Sequence, residues 1–403
     1  MNNEFPYEEF GYNIALRSDS ITSHLSKVEK IIFDCDGVLV NDKESYRQTI
    51  IHSVDFYFLN LLGLEGKAKE LVNQDDIQKL KDTGAFNNDW KLTHAFIAYY
   101  LGIITLQLKD TKEFQKISFE LEGKSPLELD NLLKKIRSYG KTFLRKEVDI
   151  QYLLKIKNDQ KFGIANFTNI FHQNLESSVL KGVDLLFNIG KEQIEIIRRL
   201  CPYDIEKSDL LRRLFDEIYL GSDLFYKFSN RKPKFNFPDG LIQKETTIPS
   251  LETLAKLKEI FGPMGIYSER PRKEGLYILK KLGLMEYFDR ETLIFNDGIK
   301  AWSQSNSIQF AGKPDARAFV SLLEKIISEN HIVAYIGDTI SDALMIKNAK
   351  ELGQRNLIFI GTLSSSASKS ELNKRYMKLG AEAIVKDVNS IVTIFDKIGQ
   401  YEN

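Results

Sequence analysis

"KIIFDCDGVLVND", residues 30–42, runs the apolar trio Ile31, Ile32 and Phe33 into two aspartates, Asp34 and Asp36, held one residue apart by Cys35. β-Branched and aromatic side chains followed by the turn formers Asp36 and Gly37 predict a short buried strand that stops at the first carboxylate. Upstream, residues 1–28 show no strong pattern and are expected to be an irregular or helical lead-in. Downstream, from about Ser45 to Phe228, the text changes character. "SYRQTIIHSVDFYFLNLLG", "WKLTHAFIAYYLG", "LELDNLLKKIRSYGKTF", "EQIEIIRRL" and "SDLLRRLFDEIYLG" repeat apolar residues three and four positions apart, the spacing of amphipathic helices. Several of these end at glycine, which reads as a helix stop. "SNRKPKFNFPDG", residues 229–240, carries proline, glycine and basic side chains and reads as the link that leaves the helical block.

Beyond it, helix and short apolar strand take turns: "LETLAKLKEI", "MGIYS", "KEGLYILKKLGL", "TLIFND", "ARAFVSLLEKII", "VAYIGD", "ALMIKNAKEL", "NLIFIG" and "EAIVKD". That alternation predicts a parallel sheet wound with right-handed crossovers. The expected fold is therefore α/β, a three-layer doubly wound sheet begun by "KIIF", interrupted by a large, mostly α-helical insertion and resumed near Leu251. The corresponding spans are 1–44, 45–240 and 241–403. No internal repeat or low-complexity tract is visible.

The bulk numbers narrow the function. A chain of 403 residues favours two domains or one with an insertion, and 43% hydrophobic with 28% charged residues is ordinary for a folded protein. Lys plus Arg and Asp plus Glu both number 56, so no global field exists to hold a nucleic acid or an acidic membrane. Two cysteines, Cys35 and Cys201, make no disulfide framework, and no apolar run approaches the roughly 20 residues of a membrane span. A cytoplasmic protein without an export signal is expected.

Open parallel sheets bind ligands beyond the carboxyl ends of their strands. Three predicted strand ends here finish on useful side chains: Asp34 and Asp36 after "KIIF", Ser268 after "GIY", and Asp338 after "VAYIG"; Lys313 in "AGKPDARAF" and Asp342 in "GDTISDALM" fall nearby. Crowding Asp34, Asp338 and Asp342 would cost about 4 kcal/mol per pair at 4 Å and an effective dielectric near 20, so a cation belongs among them. Hard oxygen ligands with room for a substrate phosphate suit Mg²⁺. Zinc does not fit, because His24, His52, His94, His172 and His331 are scattered without ligand spacing.

"DCDGVL", then Ser268, then "GKPD", then "GDTISD", in that order, resembles the four-motif signature of the haloacid dehalogenase-like hydrolase superfamily, over residues 30–43 and about 250–390. A helical cap between the first and second motifs is similar to subfamily I, the group with phosphoglycolate phosphatase and β-phosphoglucomutase. The resemblance implies Asp34 as the nucleophile that becomes an aspartyl-phosphate, and Asp36 as general acid and base. It further implies Ser268 and Lys313 on the phosphoryl group, with Gly37, Glu269 and Arg270 beside it, and Asp34, Asp36 and Asp338 around Mg²⁺, Asp342 serving as alternative ligand or supporting partner. A carboxylate at Asp36 argues for a phosphate ester, since superfamily members that cleave carbon–halogen or phosphonate bonds lack an acidic residue there.

The resulting expectation is a Mg²⁺-dependent phosphatase of a small phosphorylated metabolite. Rival readings are a phosphomutase of the β-phosphoglucomutase type, a silent binding protein, and a nucleic-acid end-processing enzyme, the last needing a basic groove. The insertion is large for that subfamily and leaves room for a homo-oligomer contact or an enclosed substrate pocket. Within it, Asn87, Asn88, Asp89 and Trp90 read slightly better as a helix start than as a polar face toward substrate. Arg231, Lys232 and Lys234 read as a solvated link, and Cys35 as core packing.

Overall fold

Val28–Phe33 is the strand that the opening stretch predicts, and Ile31, Ile32 and Phe33 are all buried in it. The computed structural model describes residues 7–9, 14–21, 24–66, 71–86, 88–121, 128–173, 178–203, 210–324, 331–366 and 368–401. In chain order its strands are β1 (Tyr7–Glu9), β2 (Ile14–Arg17), β3 (Val28–Phe33), β4 (Val40–Asn41), β5 (Thr246–Thr247), β6 (Met264–Tyr267), β7 (Phe288–Ile294), β8 (Ile332–Gly337), β9 (Leu357–Thr362) and β10 (Ala383–Val385). The chain divides into two compact units, one made of Met1–Lys43 and Glu245–Asn403, the other of Glu44–Lys244.

The first unit is built on an eight-stranded sheet in the order β1-β2-β10-β9-β8-β3-β6-β7. All pairings from β10 to β7 are parallel, as the helix–strand alternation requires. One face packs Ile32, Tyr267, Val333, Tyr335, Leu357 and Phe359 against Phe319, Met345 and Ile346 from crossover helices. The alternate residues Ile31, Phe33, Ile266, Ile336, Ile358 and Ile360 are buried as well, so both faces are covered and the strands read as continuous apolar runs. Phe33 lies opposite Ile266 in β6 and Ile336 in β8, which aligns the carboxyl ends of the three central strands.

The lead-in departs from expectation. Tyr7–Glu9 and Ile14–Arg17 are strands, antiparallel to each other and, through β2, to β10. Ile14 and Leu16 point inward while Ala15 and Arg17 stay half-buried, an alternation confined to four residues and too short to register as a pattern.

The second unit is helical. Tyr46–Phe56, Asp89–Leu108, Leu129–Leu144, Lys191–Leu200 and Leu210–Ser229 carry the five segments singled out in the sequence, and Asp89–Leu108 is buried on nearly every side. It packs against Tyr46–Phe56, Val179–Phe187, Lys191–Leu200 and Leu210–Ser229. Of the glycines read as stops, Gly63 is one, a left-handed cap at φ 74°; Gly102 instead lies inside a helix at a close approach to Phe187, and Gly221 (φ 74°) breaks Leu210–Ser229 with a kink where the backbone of Gly240 passes. The 229–240 link is also less free than its composition implies. Glu217, fully buried, accepts the N–H groups of Lys234 and Phe235 at 2.7 Å and an Arg213 Nε bond at 2.8 Å.

Candidate active site

Asp34 leaves β3 with its N–H still in the sheet, bonded to the Ile336 carbonyl at 2.9 Å. The chain then turns tightly, Gly37 N–H to Val40 O at 2.8 Å and Leu39 N–H to Cys35 O at 2.9 Å, which returns β4 beside the Asp34–Asp36 turn. β4 pairs with β5, so the loop is closed by a small two-stranded sheet rather than left open. At the end of β8, Asp338 is 7% exposed and Asp342 fully buried on the first turn of the following helix.

Lys313 arrives between these groups. Its Nζ lies 2.9 Å from Asp34 Oδ2 and 2.8 Å from Asp342 Oδ1. Oxygens of Asp34, Asp338 and Asp342 all fall within 4.8 Å of one another. Burial, and after it the neighbouring carboxylates Asp342 and Asp34, hold Asp338 well above the usual carboxylate range. Asp34 is also pushed up, burial outweighing the attraction of Lys313. On Lys313, burial alone would lower the ammonium, but Asp34 and Asp342 overcome it and hold it well above its ordinary value. The Lys313 ammonium thus serves Asp34 and Asp342, while Asp338 Oδ1 is buried with no hydrogen-bond partner among the described residues. An all-oxygen set with one unserved acceptor and a residual negative charge fits a hard divalent cation such as Mg²⁺.

The two aspartates of the opening stretch are in different surroundings. Asp36 is pushed up to about 7, chiefly by burial, with Arg270 pulling it down and Asp42 and Glu245 pushing it up. A carboxyl near neutrality can give and take a proton, which a metal-held one cannot. Ser268, 2% exposed, sits at the neighbouring strand end, where its Oγ accepts the Arg270 N–H at 3.3 Å and keeps its own hydrogen to donate. Cys35 is buried and its thiol is pushed far up by burial, which makes it packing rather than a nucleophile.

Several expected contributors take other duties. The Gly37 N–H is spent on the turn and its carbonyl accepts Ser364 Oγ at 2.8 Å, so it offers phosphate no donor. Its value is the missing side chain: at φ 74°, a Cβ would stand 2.1 Å from Asp338 Oδ2. Glu269 accepts the Lys313 N–H at 2.5 Å, which fixes the lysine's backbone; as an acceptor it is not a phosphate ligand. Arg270 is fully buried and divided between Asp36 and Glu245 rather than aimed at substrate. Asp342 spends Oδ2 on the Thr339 N–H (3.0 Å) and hydroxyl (2.6 Å) and Oδ1 on Tyr335 (3.1 Å) and Lys313, an arrangement suited to positioning the lysine. Glu245, Thr339 and Tyr335 went unread in the sequence. Thr339 with Asp342 did carry a capping-box spacing, whereas Glu245, just before a short strand, and Tyr335, inside a central one, carried no signal that set them apart.

In the helical unit Asn88 caps Asp89–Leu108 by accepting the Lys91 N–H at 3.0 Å, the structural reading of that cluster; Asn87 lies outside the described residues. Trp90 Nε1 donates to Asp216 at 3.1 Å. No histidine joins a metal-ligating group among the described residues. Nor is any of their helices long and apolar enough to cross a membrane.

Residues 231–350 match the family model described as haloacid dehalogenase-like hydrolase, a span that holds Ser268, Lys313, Asp338 and Asp342. Among solved structures, a target of the Northeast Structural Genomics Consortium shares the fold at a TM-score of 0.64 and 18% identity, covering 93% of this chain and 100% of that one. A predicted phosphoglycolate phosphatase from Haemophilus somnus aligns at 0.38 and 11% identity, covering 92% and 99%. A haloacid dehalogenase-like protein of unknown function from Agrobacterium tumefaciens aligns at 0.37 and 13% identity, covering 92% and 99%. A curated relative, the imidazoleglycerol-phosphate dehydratase of Phytophthora nicotianae, is 33% identical over 72 residues; these are 18% of this chain and only 14% of that protein.

Proposed function

We propose that this chain, which belongs to the haloacid dehalogenase-like hydrolases, is a Mg²⁺-dependent phosphatase that hydrolyses the monoester of a small phosphorylated metabolite. The observation that carries the reading is the meeting of Lys313 with Asp34 and Asp342 at 2.9 and 2.8 Å beside the unpartnered buried oxygen of Asp338. Residues 34, 313 and 338 are far apart in sequence, and a buried excess of carboxylate has no structural use that apolar side chains would not serve better.

In this reading an Asp34 oxygen attacks phosphorus, the ester P–O bond breaks, and the leaving alkoxide takes the proton of Asp36. The resulting acyl phosphate on Asp34 is then attacked by water. Asp36 accepts the water's proton, the bond from phosphorus to Asp34 breaks, and inorganic phosphate leaves with the enzyme restored. The Lys313 ammonium and the Ser268 hydroxyl balance the charge that gathers on the equatorial phosphoryl oxygens. Asp34 and Asp338, with the Asp36 backbone carbonyl, would hold Mg²⁺, which when bound supplies Lewis-acid stabilisation of the phosphoryl oxygens and offsets the carboxylate repulsion.

The test is a phosphate-release screen over sugar phosphates, phosphoglycolate, nucleotides and amino-acid phosphates, with Mg²⁺ and with a chelator, against Asp34→Asn. Sustained release that needs Mg²⁺ and disappears in the variant is expected. Activity that survives in Asp34→Asn removes the nucleophile assignment, and a single turnover without further release would turn the reading toward a mutase.

A further inference from the structure

We infer that Glu245 and Arg270 are positioning residues that hold Asp36 for proton transfer, a conclusion that rests on the phosphatase reading. Arg270 donates one hydrogen bond to the Asp36 carboxylate, Nε to Oδ2 at 3.2 Å, and its Nη2 lies against Oδ1 as an ion pair at 2.5 Å. The same guanidinium meets Glu245 in a fork, Nη1 to Oε2 at 2.8 Å and Nη2 to Oε1 at 2.9 Å. The Arg270 and Glu245 side chains are both 0% exposed, while Asp36 keeps 27%, so a buried clamp holds a partly exposed side chain.

Two features make this more than a buried ion pair. Arg270 already has a full bidentate partner in Glu245, so its contact with Asp36 is not needed to neutralise it. The covalent framework also joins the two ends of the clamp. Glu245 directly precedes β5, β5 pairs with β4, and β4 closes the turn that starts at Asp36 through the Gly37–Val40 hydrogen bond. One small sheet therefore sets where Asp36 and Glu245 stand, and Arg270 spans the interval between them. An arginine stem has several soft torsions, so its planar head specifies direction only when a second carboxylate fixes it. Glu245 fixes Arg270, and Arg270 fixes Asp36.

General acid catalysis requires the proton within hydrogen-bond reach of the departing oxygen, and its benefit grows with the basicity of that oxygen. Loosening the clamp should therefore harm esters of poor leaving groups most. The experiment measures the first turnover of phenyl phosphate and of p-nitrophenyl phosphate by the full-length Mg²⁺-loaded wild type, Glu245→Gln, Arg270→Lys and Asp34→Asn. Nitrophenolate departs without protonation, so the two clamp variants are expected to lose at least about tenfold more rate on phenyl phosphate than on p-nitrophenyl phosphate. In an Asp36→Asn background, Glu245→Gln should change neither rate further.

Equal losses on both esters, or none, in variants that keep the wild-type melting temperature overturn the positioning role and leave the phosphatase reading intact. Additive losses in the double variant overturn it as well. Wild-type rates no higher than those of Asp34→Asn on both esters overturn the phosphatase reading, and the inference with it. If Glu245→Gln fails to fold, Arg270→Lys alone decides, since it keeps the charge and removes the fork.

Discussion

Replacing Lys313 by methionine removes the ammonium that pairs with Asp34 and Asp342 while keeping a side chain of similar length. At 2.9 and 2.8 Å, each of its ion pairs has a gross Coulomb energy of about 6 kcal/mol at an effective dielectric near 20. Returning the ammonium to water in the unfolded chain recovers most of that, so the net cost is better taken from the loss of one partner of a buried pair, about 3–5 kcal/mol. Spread over a unit of this size, such a loss lowers the melting temperature by roughly 10 °C. Mg²⁺ supplies positive charge at the same carboxylates, so part of the deficit should return as the ion is added. Phosphate release should fall by about 10²–10³ even in saturating Mg²⁺, because a fixed cation facing the transferring group is gone. Thermal unfolding followed by circular dichroism, with EDTA and with Mg²⁺, reads the first effect, and a phosphate assay the second. A variant whose melting temperature in EDTA stays within about 2 °C of wild type, with release reduced less than about threefold, would refute the electrostatic argument.

Gly37→Ala should raise the Mg²⁺ concentration for half-maximal activity at least about tenfold and cost about 1–2 kcal/mol, since the new Cβ meets Asp338 at a positive φ; a Mg²⁺ titration unchanged from wild type contradicts this. His94, buried and stacked on Tyr203 at 4.7 Å, is pulled down to about 3 by burial, with Lys91 adding to the effect. Between the unfolded value near 6.5 and about 3 the unfolded chain binds the extra proton, so stability rises with pH there by up to about 1.4 kcal/mol per unit. That contribution is complete above 6.5, is lost on acidification, and should vanish in His94→Phe; denaturant midpoints measured from pH 4 to 8 that keep the wild-type slope in the variant would disprove it.

The parallel sheet was legible because its strands are buried on both faces: runs such as "VAYIG" and "LIFIG" are apolar throughout, with helical spacing between them. The strands Tyr7–Glu9 and Ile14–Arg17 at one end of the sheet were not, since three and four residues give no period to count and they join the sheet through β10, near the other end of the chain. Within the site, Asp34, Lys313 and Asp338 stood out as charges at the ends of apolar strands or in a proline-marked turn. Their partners did not, because Glu245 is one more glutamate before a polar stretch and only the tertiary path of Arg270 gives it a purpose. Gly63, Gly102 and Gly221 show the same limit from another side. A helix stop, a close approach and a kink all select glycine, and only packing tells them apart.

The central claim is that a carboxylate of the opening stretch accepts the phosphoryl group. It is tested most directly by quenching the enzyme in acid during turnover of a phosphate ester, trapping acyl phosphates chemically and mapping the modified peptide by mass spectrometry. Modification confined to Asp34, and absent from Asp34→Asn, is the predicted result. An active enzyme that carries no trapped acyl phosphate, or carries it on a different residue, would contradict the account.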